Sequence, residues 1–554
     1  MEGKCAVCSL ECSKFCSSCK KVYYCSVGHQ KSDRKKHRKN CFPAAILVDE
    51  IQGRYFAATK SIVPGDCIFN DKALVVGPTG AEKKFHKICL GCYRVVKGNY
   101  SCSKCRWPVC SQICEKLPPH CDAECKIFAS RNVGPYFTKP YEYDFIKFLR
   151  SLLVRESDEK RWDQLCQLAS HPEARGKCEA SVLATMASYE FITEICGLQQ
   201  FDYDTVNHIV GVWGINSFGA NAPTGPNPTG RLASFLFPKT SLCSHNCIAN
   251  THGILMEEEE DVKIPDSNVK IKRPIFTMQL LASRPIEEGK PIFITYAEVG
   301  EGTFERQKIL RENYYFQCKC DRCKDPTEFG SFFSGYKCLA CKSGYLLPGN
   351  YLDADCDWKC SSGSELCPVK KYPELVTPLI RIKYDLNSVG MNDTENEIKR
   401  LEKILADNSG KTLHPNHWLL MEVEFRLIQR LICFMPEAKN VNAVIRKCIL
   451  YGQHCLDVAD IIRPGHNPYR GKILYCLCQA KLQGIVRSTS DDVIEKRASL
   501  SNLKSGVEEA QKILSKEPPG SDERIIADSL NEDLVQIQRI ITVLDVKLKN
   551  GIRK

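Results

Sequence analysis

The chain has 554 residues, 43% hydrophobic and 26% charged, which fits three or four compact units of soluble globular protein. No apolar run approaches the roughly 18 residues of a membrane helix, and the start, "MEGKCAVCSL", lacks the basic head and apolar core of a secretory signal. A cytoplasmic and nuclear protein with no membrane role is expected. The formal charge of +11 (77 minus 66) is local in origin, because residues 1–42 alone contribute +7 (ten Lys or Arg minus three Asp or Glu).

Thirty-four cysteines in such a chain do not read as a disulfide framework, since cytosol and nucleus keep thiols reduced. Metal binding is the default wherever spacing permits. The cysteines cluster at 5–41, 89–125 and 318–367.

The first cluster runs Cys5, Cys8, Cys16, Cys19, Cys25, His29, His37, Cys41. Eight such ligands in four pairs are what two tetrahedral zinc ions require, and about 40 residues hold too little apolar material to fold without them. The basic run "KSDRKKHRKN" suits phosphates or an acidic peptide, but reads first as the solvated face of a zinc-module helix.

Next, "GRYFAATKSIVPGDCIFNDKALVVGP" alternates β-branched and aromatic residues around Pro64-Gly65, predicting short strands and a tight turn. The second cluster, Cys89, Cys92, Cys102, Cys105, Cys110, Cys114 and then "LPPHCDAEC", repeats the zinc theme. Either His120 or Cys121 is available to partner Cys125. From 141 to 212 the apolar residues recur at helical spacing.

Strand signals return at 231–238 and at 275–296, where "IFTMQLLASRPIEEGKPIFITY" predicts two strands around a Glu-Glu-Gly turn. The acidic run "EEEED" at 257–261 is expected in a solvated loop. Cys318, Cys320 and Cys323 supply three ligands where structural zinc takes four. Cys338, Cys341 and Cys360 suggest an extra knuckle, with Cys356 and Cys367 both open as its fourth ligand. Beyond about 370 the pattern is helical to the end.

The first cluster, with "YYCSVGHQKSDRKKHRKNC", resembles the MYND zinc finger. The resemblance implies interleaved pairs: Cys5, Cys8, Cys25 and His29 on one ion, Cys16, Cys19, His37 and Cys41 on the other, in a module that binds peptides. The second cluster is similar to a divergent MYND finger, whose family spacing favours Cys121 beside Cys125.

A MYND finger set between strands resembles the SMYD proteins, in which MYND interrupts a SET lysine-methyltransferase domain. "GRYFAATKSIVPGD" resembles the opening SET strands, with Gly53 and Arg54 present and Tyr55 in place of a second glycine. "SLCSHNCIANT" at 241–251 resembles the N-H-S-C-x-P-N signature: His245, Cys247 and Asn250 match, while Ser244, Asn246 and Ala249 depart. "PIFITYAEVGEGTFERQKILRENYYFQCKCDRC" is similar to the SET end and post-SET segment.

The resemblance implies Cys247 as fourth ligand to Cys318, Cys320 and Cys323, Tyr296 and Tyr314 as channel tyrosines, Phe316 as the adenine wall, and Asn216, Ser244 and His245 as cofactor contacts. Two fingers, the Gly-Arg-aromatic variant and the extra knuckle look most like the arthropod SmydA branch.

The expected architecture is α+β and multidomain: MYND finger 1–42, first SET part 43–88, divergent finger 89–125, helical insert 126–215, second SET part 216–300, post-SET with knuckle 301–368, all-α domain 369–554. The resemblance implies an S-adenosylmethionine-dependent protein-lysine N-methyltransferase with structural zinc, lysine-bearing protein substrates, peptide partners for the fingers, chromatin association and a monomeric state. Tyr55 and Ser244 motivate the alternative, a catalytically weak or inactive scaffold or transcriptional regulator.

Overall fold

The computed structural model describes residues 3–16, 19, 22–37, 41–50, 53–79, 87–118, 120–135, 142–219, 231–263, 270–388, 394–488 and 492–551. The end of the basic run, 38–40, lies outside them.

The first finger carries one helix, α1 (Val27–His37), with no buried residue and with Arg34, Lys35, Lys36 and His37 in its last turn. Among the described residues its buried cluster is Cys16, Cys19 and Tyr24, too little to fold without metal.

The β-rich core follows. Strands β1 (Ala44–Asp49) and β2 (Gly53–Ala58) form an antiparallel hairpin that sets Asp49 opposite Gly53. Strand β3 (Cys67–Lys72) joins the edge of a sheet described below, and β4 (Val75–Pro78) pairs with β6 (Ala233–Leu236), which also pairs with β5 (Ser217–Gly219). The turn between β2 and β3 holds Gly65 at φ +90°, where glycine carries no Cβ penalty.

Short β7 (Ser244–His245) runs parallel to β10 (Phe293–Ile294). Between them, β8 (Thr251–Lys263) and β9 (Lys270–Ala282) pair over 13 residues, with β3 on the far side of β9. Phe56, Ile68, Phe69, Leu280 and Ile292 fill the space between these small sheets.

The acidic run 257–261 is strand, not loop. Opposite charges across the ladder make this possible: Glu260 meets Arg273 at 3.2 Å and Lys72 at 3.4 Å, and Asp261 meets Lys272 at 3.5 Å. The low strand propensity of glutamate yields to these pairings.

The second finger ends in α2 (Glu124–Arg131) and is followed by α3 (Glu142–Ser157), α4 (Glu159–Cys166), α5 (Glu179–Glu190) and α6 (Tyr203–Asn216). Asp158 and Asp202 cap α4 and α6 by accepting backbone N–H bonds. Finger and insert share one core, in which Leu90, Trp107 and Phe128 pack with Tyr143, Leu149 and Trp213.

After helix α7 (Thr303–Tyr314) come strands β11 (Tyr336–Lys337), β12 (Tyr345–Pro348) and β13 (Trp358–Cys360) in one small antiparallel sheet. The remainder is helical: α8 (Thr377–Ser388), α9 (Thr394–Asn408), α10 (Trp418–Phe434), α11 (Val441–Ile462), α12 (Pro468–Arg487), α13 (Val493–Leu514) and α14 (Asp522–Gly551). From α9 onward each helix packs on the next. Among the described residues no helix is long and apolar enough to cross a membrane.

Candidate active site and zinc centres

A tetrahedron with Zn–S arms of about 2.3 Å has edges of about 3.8 Å, and the Cys and His tetrads are built to that scale. In the first finger Cys5, Cys8, Cys25 and His29 form one group and Cys16, Cys19, His37 and Cys41 the other. Cys5 Sγ lies 3.5 Å from His29 Nδ1, and Cys19 Sγ lies 3.5 Å from His37 Nε2.

The second finger assembles Cys89, Cys92, Cys110 and Cys114 on one side and Cys102, Cys105, His120 and Cys125 on the other. His120 stands where Cys121 is expected. Cys121 points out of the group, its thiol 3.3 Å from Lys116 O and from Asp122 Oδ1. The reason lies one shell out: His120 Nδ1 is 3.0 Å from Glu124 Oε1, and Glu124 is held by Arg150. Arg150 also donates to Val76 O, Leu90 O and the Tyr93 hydroxyl at 2.9–3.1 Å. This buried chain orients the imidazole so that Nε2 faces the sulfurs, and ties the finger to β4 and α3.

The signature loop is organised around Cys247, which is fully buried and groups with Cys318, Cys320 and Cys323. Its Sγ is 3.5 Å from Cys323 Sγ and 3.9 Å from Cys318 Sγ. Four thiolates on one Zn²⁺ leave a buried net charge of about −2, and Arg306 Nε donates to Cys247 Sγ at 3.3 Å. Arg306 and Arg322 both bond Glu328 Oε2, at 3.2 and 2.8 Å, and all three side chains are at most 1% exposed. Nothing in the spacing of the cysteines foretold this charge cluster.

The other signature residues hold strands in place. Asn250 accepts from Phe293 N–H at 2.8 Å and donates to Pro291 O at 2.9 Å. Asn246 closes its own turn by accepting from Ile248 N–H. His245 Nδ1 accepts from the Tyr296 N–H at 2.9 Å, while its Nε2 lies 3.3 Å from Cys247 Sγ. With Nδ1 accepting, the ring proton sits on Nε2 and points at the thiolate.

Tyr296, Tyr314 and Phe316 gather on His245. Tyr296 lies 4.9 Å from Tyr314 and 6.3 Å from Phe316 between ring centroids, and His245 lies 5.9 Å from Phe316. The Tyr296 hydroxyl donates to Cys243 O at 2.8 Å, and burial pushes the phenol well above its ordinary pKa, as it does for Tyr314. Both stay protonated at neutral pH. Helix α7 delivers Tyr314 and Phe316 by ending at Tyr315 in the left-handed region (φ +61°), after which Phe316 N–H returns to Leu310 O.

Two of the remaining expected cofactor contacts, Arg54 and Asn216, meet on loop 167–171 of the insert, which sequence reading missed. Arg54 donates to Gln167 O, Asn216 Nδ2 donates to Ala169 O at 2.7 Å, and the His171 ring lies 6.1 Å from Tyr315. Asn216 is thus buried with its amide N–H groups directed at Ala169 O and Val212 O. Gly53 takes φ +65° with no heavy atom within 4 Å of a Cβ position, and Tyr55 is half-buried opposite Leu47. Ser244 is half-buried beside Phe293.

A cleft of about 1080 Å³ opens between the free edge of β8 and the helical domain. Ile248, Ala249, Thr295 and Val299 line it from the core, and Arg463, Tyr469 and Pro518 from the helices. Arg463 pairs with Glu298 across it, and His252 meets Glu517 at 2.8 Å.

Fold and site together define a zinc-rich protein with the SET-MYND arrangement. Residues 5–41 match the family model for the MYND finger. The chain is 25% identical over 397 residues to the SET domain-containing protein SmydA-8, isoform B, of Drosophila melanogaster, covering 70% of this chain and 80% of that protein. It is 23% identical over 292 residues to the mouse histone-lysine N-methyltransferase Smyd1, covering 50% and 55%. Over 93 residues it is 34% identical to the chicken protein-lysine N-trimethyltransferase SMYD5, covering 16% and 18%. Finger and relatives support assignment to the SMYD family, on its arthropod SmydA-like side.

Proposed function

We propose that the chain is a protein-lysine N-methyltransferase that uses S-adenosylmethionine and acts on histone or other proteins. The observation that carries the reading is the ring cluster of Tyr296, Tyr314, Phe316 and His245, backed on the Cys247 zinc site.

The residues fit the cofactor. Phe316 offers an aromatic wall 5.9 Å from the His245 ring, the backbone at Gly53 is open, and Ser244, His245 and Phe316 are each half-buried. When bound, the cofactor supplies an electrophilic methyl on a sulfonium. Asn216 spends its amide N–H groups on Ala169 O and Val212 O, so its Oδ1 is the atom through which it would meet the cofactor.

The chain's own work is positioning and desolvation. A lysine channel walled on one side by the Tyr296–Tyr314 pair would disfavour the ammonium and lower its pKa, presenting a neutral amine for in-line attack. Tyr296, its hydroxyl fixed on Cys243 O, fixes the channel wall. The phenols remain protonated, so neither acts as a general base.

The name Smyd1 carries histone-lysine methylation and SMYD5 carries protein-lysine trimethylation, which supports a protein substrate. The exposed basic α1 supports acidic peptide partners and chromatin association. The many zinc thiolates favour a reducing compartment, cytoplasm and nucleus.

Equilibrium binding of S-adenosylmethionine to zinc-loaded protein tests the reading. Wild type is expected to bind, Ser244→Asn more tightly, because an amide offers more hydrogen-bonding groups than a hydroxyl. Tyr296→Phe is expected to bind but to transfer poorly. No binding by wild type at millimolar cofactor overturns the enzyme reading in favour of a scaffold.

A further inference from the structure

Four thiols beyond the post-SET site converge next to the small sheet β11–β13. We propose that Cys338, Cys341, Cys360 and Cys367 bind one more zinc ion, and that this ion braces the helical domain against the catalytic core.

Three Cys-x2-Cys turns of the fingers, those starting at Cys5, Cys89 and Cys102, share a backbone signature. The residue after the second cysteine adopts the left-handed region and returns its N–H to the carbonyl of the first: Ser9 (φ +60°) to Cys5 O, Tyr93 (φ +63°) to Cys89 O, and Arg106 (φ +67°) to Cys102 O, all at 2.8 Å. Lys342 (φ +59°) repeats it on Cys338 O at 3.1 Å. A non-glycine residue held there costs energy and persists where the surroundings demand it. In the fingers the demand comes from the metal tetrad, and the repetition at Lys342 points to the same cause.

The sulfurs close on one another. Cys341 Sγ lies 3.6 Å from Cys360 Sγ, close to the tetrahedral edge, and the Cys367 thiol faces Cys338, Cys341 and Cys360. Gly344 N–H donates to Cys341 Sγ at 3.3 Å, and a Cβ on Gly344 would stand 2.4 Å from Cys360 Sγ. Only glycine lets the backbone approach so closely. Cys356 belongs to another turn, its N–H on Asp353 O and its thiol among Gly349, Asn350 and Asp353, so Cys367 is the fourth ligand. The metal binds four thiolates, and the displaced protons go to solvent.

The sheet carrying this site joins two parts of the protein. Trp358 of β13 packs 5.2 Å from Phe304 of α7, and Tyr336 of β11 packs 5.5 Å from His417, the N-cap of α10. Backbone bonds run from Lys337 N to Thr412 O, His414 N to Gly335 O and Trp418 N to Phe333 O, each at 2.9 Å. Strands of two, four and three residues are too short to hold such a joint alone. The helices beyond it form one wall of the large cleft. None of this depends on the cofactor reading.

The test compares full-length variants by zinc content and hydrogen exchange. Cys367→Ser is expected to lose one zinc per chain, with faster exchange at 336–348 and 409–418 and unchanged protection in residues 5–16 of the first finger. Cys356→Ser should keep the full zinc content. Cys367→His retains a donor and should hold the ion and the protection, which separates loss of a ligand from a general folding defect. Equal zinc content in Cys367→Ser and wild type overturns the site. Zinc loss without faster exchange at 409–418 overturns the brace.

Discussion

His245 accepts the backbone N–H of Tyr296 at 2.9 Å while turning its other ring nitrogen to the Cys247 sulfur at 3.3 Å. One imidazole therefore links the Cys247 tetrad to the segment that presents Tyr296. His245→Ala should weaken zinc retention at this site by about 10- to 100-fold, the usual cost of losing an outer-shell partner. Competition against a graded chelator reads this directly. Unchanged retention would show that the imidazole serves the strand alone.

The charge cluster behind Cys247 makes a second prediction. Glu328 is the carboxylate shared by Arg306 and Arg322 in a fully buried setting. Glu328→Gln keeps the shape but leaves two buried guanidinium groups without their partner, a change that costs about 3–5 kcal/mol. A fall of several degrees in the thermal midpoint is expected, with exchange quickening around 299–334. A midpoint within one degree of wild type would mean that the zinc thiolates alone balance both arginines.

In the second finger, His120 and Cys121 are adjacent but face different surroundings. His120→Ala should release one zinc per chain and Cys121→Ser none, as measured by metal analysis of desalted protein. The reverse pattern would return the ligand to position 121.

The difference between these two residues shows what a sequence can carry. Ligand spacing marks candidate first-shell cysteines, while the pairing in the first finger and the choice of Cys247 come from the family resemblance, and family spacing picks Cys121 where His120 stands. Spacing does not report the second shell: Glu124 and Arg150, separated from one another by 26 residues, decide that the imidazole and not the neighbouring thiol turns inward. The helical insert and tail were legible because their apolar period is long and regular. The acidic run at 257–261 was misread because cross-strand charge pairing is invisible in a single segment. Loop 167–171 has no motif of its own; its importance comes from Arg54 and Asn216 reaching it from opposite ends of the SET segments.

A final prediction concerns pH and the helical domain. His454 Nδ1 lies 2.7 Å from Glu424 Oε2, and its Nε2 lies 2.8 Å from Asn416 Oδ1. The Asn416 amide is oriented by donating its N–H to Ser331 O at 2.9 Å, so both ring nitrogens face acceptors and the doubly protonated ring satisfies both. The hydrogen bond to Glu424 raises the His454 pKa above its ordinary 6.5, with Asp457 acting in the same direction and burial against it. A raised folded-state pKa means stability that is fully present below about 6.5 and lost as pH rises through the folded value. The thermal midpoint of zinc-loaded protein should therefore fall as pH rises above 6.5, and His454→Gln, which stays neutral, should flatten that slope. Identical slopes in the two proteins would show that His454 is already neutral in the folded state at pH 6.5.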